Sequence, residues 1–282
     1  MKYVIKPRIA SSKLLAVAAF FLAIQVVHAQ ALFSEGFNYT PGQGLANQVN
    51  PSTGNAWING NNSELTIGSS QLTYPGLQEL TGYELVYTSL GSSSSSYTTY
   101  NSVTSGSIYY SFLINCTTLP TANEYITALN PGTTTPGGSG DAISTYVGAS
   151  GSGWKIGVRT TGGGTGAAYS GALALNTTYF VVEELTLGSA PVVNLYLDPV
   201  PGDVQPGTPT ATQSTANAIN SVDDVGFKVQ STTATGNFDI GNLLIAQDWA
   251  DVTPAAVPEP SALALMGVGL LGLVARFRRA RG

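Results

Sequence analysis

Glu79-Leu-Thr-Gly-Tyr-Glu84 is the stretch of this 282-residue chain that comes nearest to a paired-carboxylate motif. Glycoside hydrolysis needs one carboxyl as acid and another as base or nucleophile, about 5 Å apart for retention or about 6.5–9.5 Å for inversion. Gly82 lies between Glu79 and Glu84 and disfavours the regular strand that would hold such a pair. Glu183 and Glu184 are adjacent, so pleating sends them to opposite faces of a strand and they cannot serve one sugar together. Residue types exclude much else. His28, near the N-terminus, is the only histidine, and Cys116 is the only cysteine. A mature chain without His28 has no Ser-His-Asp or Cys-His pair, no histidine-held zinc or iron, and no internal disulfide. Cys116 follows the apolar run SIYYSFLIN and is expected to be a small buried hydrophobe.

Thr161-Gly-Gly-Gly-Thr-Gly-Ala167 contains a formal Gly-x-Gly-x-x-Ala after a strand. A dinucleotide fingerprint needs a helix opening on those glycines. Residues 168–178 are too few and are interrupted by Gly171, so a glycine-rich hairpin connection is expected instead. Calcium wants clustered oxygen ligands. Asp223, Asp224 and Asp239 are candidates for it, with Asp248 and Asp251 nearby in sequence. No Asp-x-Asp-x-Asp-Gly loop is present, and solvated surface acids are the default. No other cofactor is expected. For sugar stacking the candidates are Trp57 and the Tyr97/Tyr100 pair, with core packing the commoner fate of a tryptophan placed like Trp57.

The elements that must position these residues are strands. Sustained 3.6-residue periodicity is absent, whereas period-2 alternation recurs. Ile108, Tyr110, Phe112 and Ile114 share one face, as do Trp154, Ile156 and Val158, which alternate with Lys155, Gly157 and Arg159. Residues 178–187 and 192–198 predict two adjacent strands. Val225, Phe227 and Val229 alternate, as do Phe238, Ile240, Asn242 and Leu244. Short strands separated by Gly, Pro and Asn turns predict an all-β antiparallel sandwich or barrel. Residues 90–97 and 199–218 are expected to be loops.

Charge is concentrated at the ends. Lys2, Lys6, Arg8 and Lys13 open the chain and Arg276, Arg278, Arg279 and Arg281 close it; only Lys155, Arg159 and Lys228 lie between. The acidic middle repels phosphate backbones, so no nucleic-acid partner is expected. Residues 1–31 read as a secretory signal peptide for the secretion translocon. A basic start precedes an apolar run from Leu14 to Val27, and small-residue cleavage sites end at Ala29 or Ala31. At the other end, Ser261–Ala275 is apolar or small throughout. At 1.5 Å per residue it makes roughly 22 Å of helix, short of the ~30 Å hydrocarbon core of the inner membrane. The arginines beyond it should stay cytoplasmic.

Val257-Pro258-Glu259-Pro260, a glycine-interrupted apolar helix and the terminal Arg276, Arg278, Arg279 and Arg281 resemble the PEP-CTERM sorting signal of Gram-negative bacteria. That resemblance implies recognition by an exosortase-like membrane enzyme, transient anchoring in the inner membrane, and delivery to the cell surface or extracellular matrix, often with exopolysaccharide or biofilm. Pro258, Glu259 and Pro260 would then be a substrate signal rather than catalytic groups. The opening Leu32–Tyr39, the central Trp154–Arg159 and the closing Gly236–Trp249 resemble a concanavalin A-like lectin/glucanase jelly roll of the laminin-G-like kind, which implies that the first and last strands pair. Jelly-roll glucanases carry Glu-x-Asp-x-x-Glu, and here Thr81 stands where the aspartate would be. The expected organisation is a signal peptide at 1–31, a jelly-roll β-sandwich at 32–252, a spacer at 253–257 and a sorting tail at 258–282, with its motif at 257–260, membrane helix at 261–275 and arginine cluster at 276–281. The expected function is a non-enzymatic, exported surface or matrix protein that associates with glycan. The competing expectations are a polysaccharide hydrolase or lyase, and a calcium-dependent adhesion module.

Overall fold

Alternation of apolar and polar residues builds two antiparallel sheets that share one core. The computed structural model describes residues 31–61, 65–87, 94–132, 136, 140–160, 166–229 and 236–256. Ala29 and the sorting-signal residues Val257, Pro258, Glu259, Pro260, Arg276, Arg278, Arg279 and Arg281 lie outside them. Among the described residues, the eight-stranded sheet runs β13 (Ala211–Ser214), β12 (Val192–Leu197), β11 (Thr178–Thr186), β6 (Ser107–Thr118), β15 (Asn237–Ala246), β4 (Leu85–Tyr87), β3 (Leu65–Ile67). β1 (Phe33–Glu35) also pairs with β15, opposing Phe33 to Ile245, so the first and last strands are neighbours as the jelly-roll resemblance implied. The seven-stranded sheet runs β10 (Ala168–Tyr169), β9 (Gly153–Thr160), β8 (Ile143–Ser150), β7 (Glu124–Asn130), β14 (Val222–Val229), β5 (Ser94–Val103), β2 (Ile58–Asn61). The chain is a two-sheet antiparallel sandwich of the jelly-roll class.

Ile108, Tyr110, Phe112 and Ile114 of β6 meet Trp154, Ile156 and Val158 of β9, and Val225 and Phe227 of β14, in the core between the sheets. Polar side chains cross that core and set its spacing. Tyr110 Oη and Thr127 Oγ1 are 2.6 Å apart, Tyr87 Oη donates to the Ile126 carbonyl at 3.0 Å, and Thr145 Oγ1 donates to Glu183 Oε1 at 2.8 Å. Glu35 is a fully buried acid with four donors around it. Its carboxylate accepts from Trp57 Nε1 at 3.0 Å, Asn50 Nδ2 at 2.9 Å, Tyr39 Oη at 2.6 Å and the Phe37 amide at 2.6 Å.

Three local expectations are corrected. β15 does not keep one phase: an extra residue between Gly241 and Leu244, with Asn242 at φ 52°, forms a bulge. Leu243 and Ile245 therefore join Phe238 and Ile240 inside, while Leu244 turns to the outer face. The expected loop at 90–97 is strand from Ser94, and Ser94, Ser95 and Ser96 are buried between β14 and β2. The expected loop at 199–218 contains β13; its Gly202 amide donates to the Thr253 carbonyl, and its Gln205 donates to Glu184 of β11.

The outer face of the eight-stranded sheet is covered. Tyr109, Leu113, Phe180, Val182, Tyr196 and Leu244 form a second apolar cluster with Leu72, Leu77 and the short helix α1 (Trp249–Val252). Trp249 packs edge-on against Tyr109 and Tyr196, with centroids 5.9 and 5.1 Å away, and its indole N–H donates to the Asp203 carbonyl at 3.0 Å. The expected spacer begins as docked chain. Gly202 and Gln78 donate to the carbonyls of Thr253 and Pro254, and the Ala256 amide donates to Gly76.

Two outcomes follow for stability. Glu35→Ala strands four donors, three of them buried, and should cost on the order of 3 kcal/mol or more in denaturant unfolding; a loss under 1 kcal/mol would contradict the hub role. Burial pushes Glu183 and Asp224 up to about 8. Protons they retain in the folded state are released in the unfolded state above about pH 4–5, so stability falls as pH rises from there to about 8. Melting temperature should be higher at pH 5 than at pH 8.5, and Glu183→Gln should shrink that difference.

Candidate functional site

The half of each strand pattern that points away from the core decides where chemistry can occur. On β9, Trp154, Ile156 and Val158 face inward, so Lys155, Gly157 and Arg159 face out. On β14, Phe227 and Val229 face inward and Lys228 faces out. The register assembles these positions into rows. Tyr125 opposes Tyr146, Tyr146 opposes Gly157, and Gly157 opposes Tyr169. In the next row Tyr97 opposes Gly226, Gly226 opposes Ala128, Ala128 opposes Ser144, and Ser144 opposes Arg159. Tyr97, Tyr146, Lys155, Arg159, Tyr169 and Lys228 are all partly exposed.

Tyr169 lies flat because Gly157 has no side chain: a Cβ there would come within 2.6 Å of the Tyr169 ring. Lys155 Nζ sits 4.1 Å over the centre of that ring, a cation–π contact that orients the ammonium. Tyr125 packs edge-on against Tyr146 at 5.5 Å and supports it from below the surface. The outer face of the seven-stranded sheet thus carries part-exposed tyrosines and cations on β8, β9 and β10 and at Tyr97 and Lys228, while Ala128, Ser144 and Gly226 between them are buried and Pro136 packs over Gly226.

The residues singled out from sequence fare differently. Trp57 is fully buried, between Phe33 at 6.0 Å and Phe227 at 5.4 Å. Tyr100 is in the core, whereas Tyr97, three positions away, is on the outer face, so that pair is split. Glu79 accepts the Tyr74 amide at 2.8 Å and Glu84 the Ser70 amide at 3.1 Å; both hold loop backbone. Glu183 faces the core, and Glu184 faces out on the other sheet, ringed by Ser107, Tyr109, Asn194, Tyr196 and Gln205. Ala168 of β10 pairs opposite Val158 of β9, as in a hairpin, and residues 161–165, with the glycine run, lie outside the described residues.

The structure divides the calcium candidates. Asp224 is buried against Asn130, and Asp223 accepts the Gly132 amide, both on the seven-stranded sheet. Asp239 belongs to the eight-stranded sheet, where burial and nearby Glu84 push it up to about 6. Among the described residues no three His, Cys, Asp or Glu side chains gather in a way that could hold a metal. Cys116 is buried, its Sγ donating to the Thr118 carbonyl, and burial pushes the thiol up to about 12. Sequence reasoning passed over Tyr146, Tyr169, Lys155, Arg159 and Lys228. The polar phase of β9 was visible in the sequence, but its alignment with β14 and β10 required the sheet order.

Fold similarities accompany this geometry. The structure of alginate lyase Aly36B aligns at 12% identity over 77% of this chain and 98% of its own, with a TM-score of 0.48. The T. cruzi calreticulin globular domain aligns at 11% identity over 79% of this chain and 91% of its own, with a TM-score of 0.49. Lectin II from Ulex europaeus aligns at 11% identity over 77% and 99%, with a TM-score of 0.42. No curated protein matches the chain in sequence.

Residues 256–279 match the family model of the PEP-CTERM protein-sorting motif. The chain therefore carries the signal of an exported protein that is transiently membrane-anchored and sorted by an exosortase. Intact mass of the protein released from cells should lack the residues after the Pro-Glu-Pro motif; recovery through Gly282 would instead mean a plain membrane anchor.

Proposed function

We propose that this chain is a non-enzymatic component of the Gram-negative cell surface or extracellular matrix that holds polysaccharide on the outer face of its seven-stranded sheet. The signal peptide at 1–31 delivers it to the translocon, and the sorting tail delivers it to the exosortase. The observation that carries the reading is the outward row of Tyr146, Gly157 and Tyr169, with Tyr97 in the next row. Sugar rings present apolar C–H faces that stack on the electron-rich faces of tyrosines, while the hydroxyls at the ring tips bond to sugar oxygens.

The point where the described chain ends supports the same reading. The last described residue, Ala256, is stitched to Gly76 on the covered side of the eight-stranded sheet. The tyrosine face lies on the opposite side of the sandwich.

Affinity electrophoresis of the exported protein through gels containing polysaccharides tests this. Retardation should drop at least about fivefold in Tyr146→Ala/Tyr169→Ala, with the circular dichroism spectrum unchanged. The polysaccharide should keep its chain length on prolonged incubation. Retardation unaffected by the double substitution would sink the assigned face, and shortening of the polymer would replace this reading with an enzyme.

A further inference from the structure

We infer that the polysaccharide held on this face is anionic, carrying carboxylate or sulfate groups, and that Lys155, Arg159 and Lys228 are the residues that bind those anions. The inference rests on the glycan-binding reading above and narrows it to one chemical class.

Of the chain's 16 acidic residues only Glu259 lies outside 32–256, and that whole segment has three basic residues. All three stand on the outer face of one sheet. Lys155 and Arg159 alternate with the buried Trp154, Ile156 and Val158 on β9. Lys228 stands between the buried Phe227 and Val229 on β14. All three keep part of their surface in solvent, as do Tyr97, Tyr146 and Tyr169 on the same face.

Their chemistry and spacing suit a charged glycan. The ammonium of Lys155 is held over the Tyr169 ring at 4.1 Å, a contact that leaves its N–H donors free for an anion. The guanidinium of Arg159 can take a carboxylate or sulfate through two parallel hydrogen bonds. From β14 to β10 there are four strand-to-strand steps. At the usual spacing of ~4.8 Å they put Lys228 and Tyr169 roughly 19 Å apart across the strands, with Pro136 packed over Gly226 between them. Duplex DNA fits poorly. It carries one charge per ~1.7 Å, and the surrounding acidic surface repels so dense a polyanion. A polysaccharide with at most one acid group per ring is sparser and also offers ring faces to the tyrosines.

The test uses the exported protein in gels containing polygalacturonate, dextran or duplex DNA, with each mobility referred to a plain gel. Polygalacturonate should retard the protein at least about tenfold more strongly than dextran or DNA, and this retardation should weaken as salt rises. Single Lys155→Gln, Arg159→Gln and Lys228→Gln substitutions should each weaken it roughly two- to fivefold. The triple variant should lose most of it while keeping the parent's melting temperature. Equal retardation by dextran, or full retardation of the triple variant, overturns the anionic assignment and leaves the glycan-binding reading standing. DNA binding equal to polygalacturonate overturns the commitment to a polysaccharide. Passage through all three gels without retardation overturns both readings.

Discussion

The clasp around Trp57 is the contact on which the rest of the molecule depends. Its ring lies between Phe33 of one sheet and Phe227 of the other, and its indole N–H is held by the buried Glu35 carboxylate. Phe33 places β1 on β15, and Phe227 sets the phase of β14. A strand has only two phases, so once Phe227 is inward Lys228 must be outward. The same logic runs along β9 from Trp154. What the outer face displays is therefore a consequence of what the core demands. A slip of one residue in either strand would bury a cation and expose an aromatic ring.

The two outer faces are covered to different extents. On the eight-stranded sheet, loop 68–84, helix α1 and residues 253–256 cover an apolar cluster, and Glu184 satisfies a ring of polar donors beneath the 199–205 segment. On the seven-stranded sheet the outward tyrosines and cations keep part of their surface in solvent. The covered side is also where the described chain ends, at Ala256 bonded to Gly76.

Much of this architecture is legible in the sequence because strand alternation is a local property. The inward sets on β6, β9 and β14, the hairpin from β11 to β12, and the separation of Glu183 from Glu184 follow from counting residues. The serines of β5 did not announce a strand, since no apolar residue marks their phase; their burial comes from β14 and β2 on either side. The bulge in β15 reversed the phase of Leu244 through Gly241 and Asn242, a pair that reads equally well as ordinary strand. The candidate site was harder still. Lys155 and Lys228 are 73 positions apart, and only the non-local order β9-β8-β7-β14 puts them on one face. Trp57, the most conspicuous aromatic for sugar stacking, was needed in the core.

The most direct measurement is nuclear magnetic resonance of ring-labelled tyrosines in the exported protein, titrated with a galacturonate oligosaccharide. The account predicts shifts confined to Tyr97, Tyr146 and Tyr169, with the rings of Tyr109 and Tyr196 on the opposite sheet unchanged. Shifts centred on Tyr109 and Tyr196, or no shifts at saturating oligosaccharide, would contradict it.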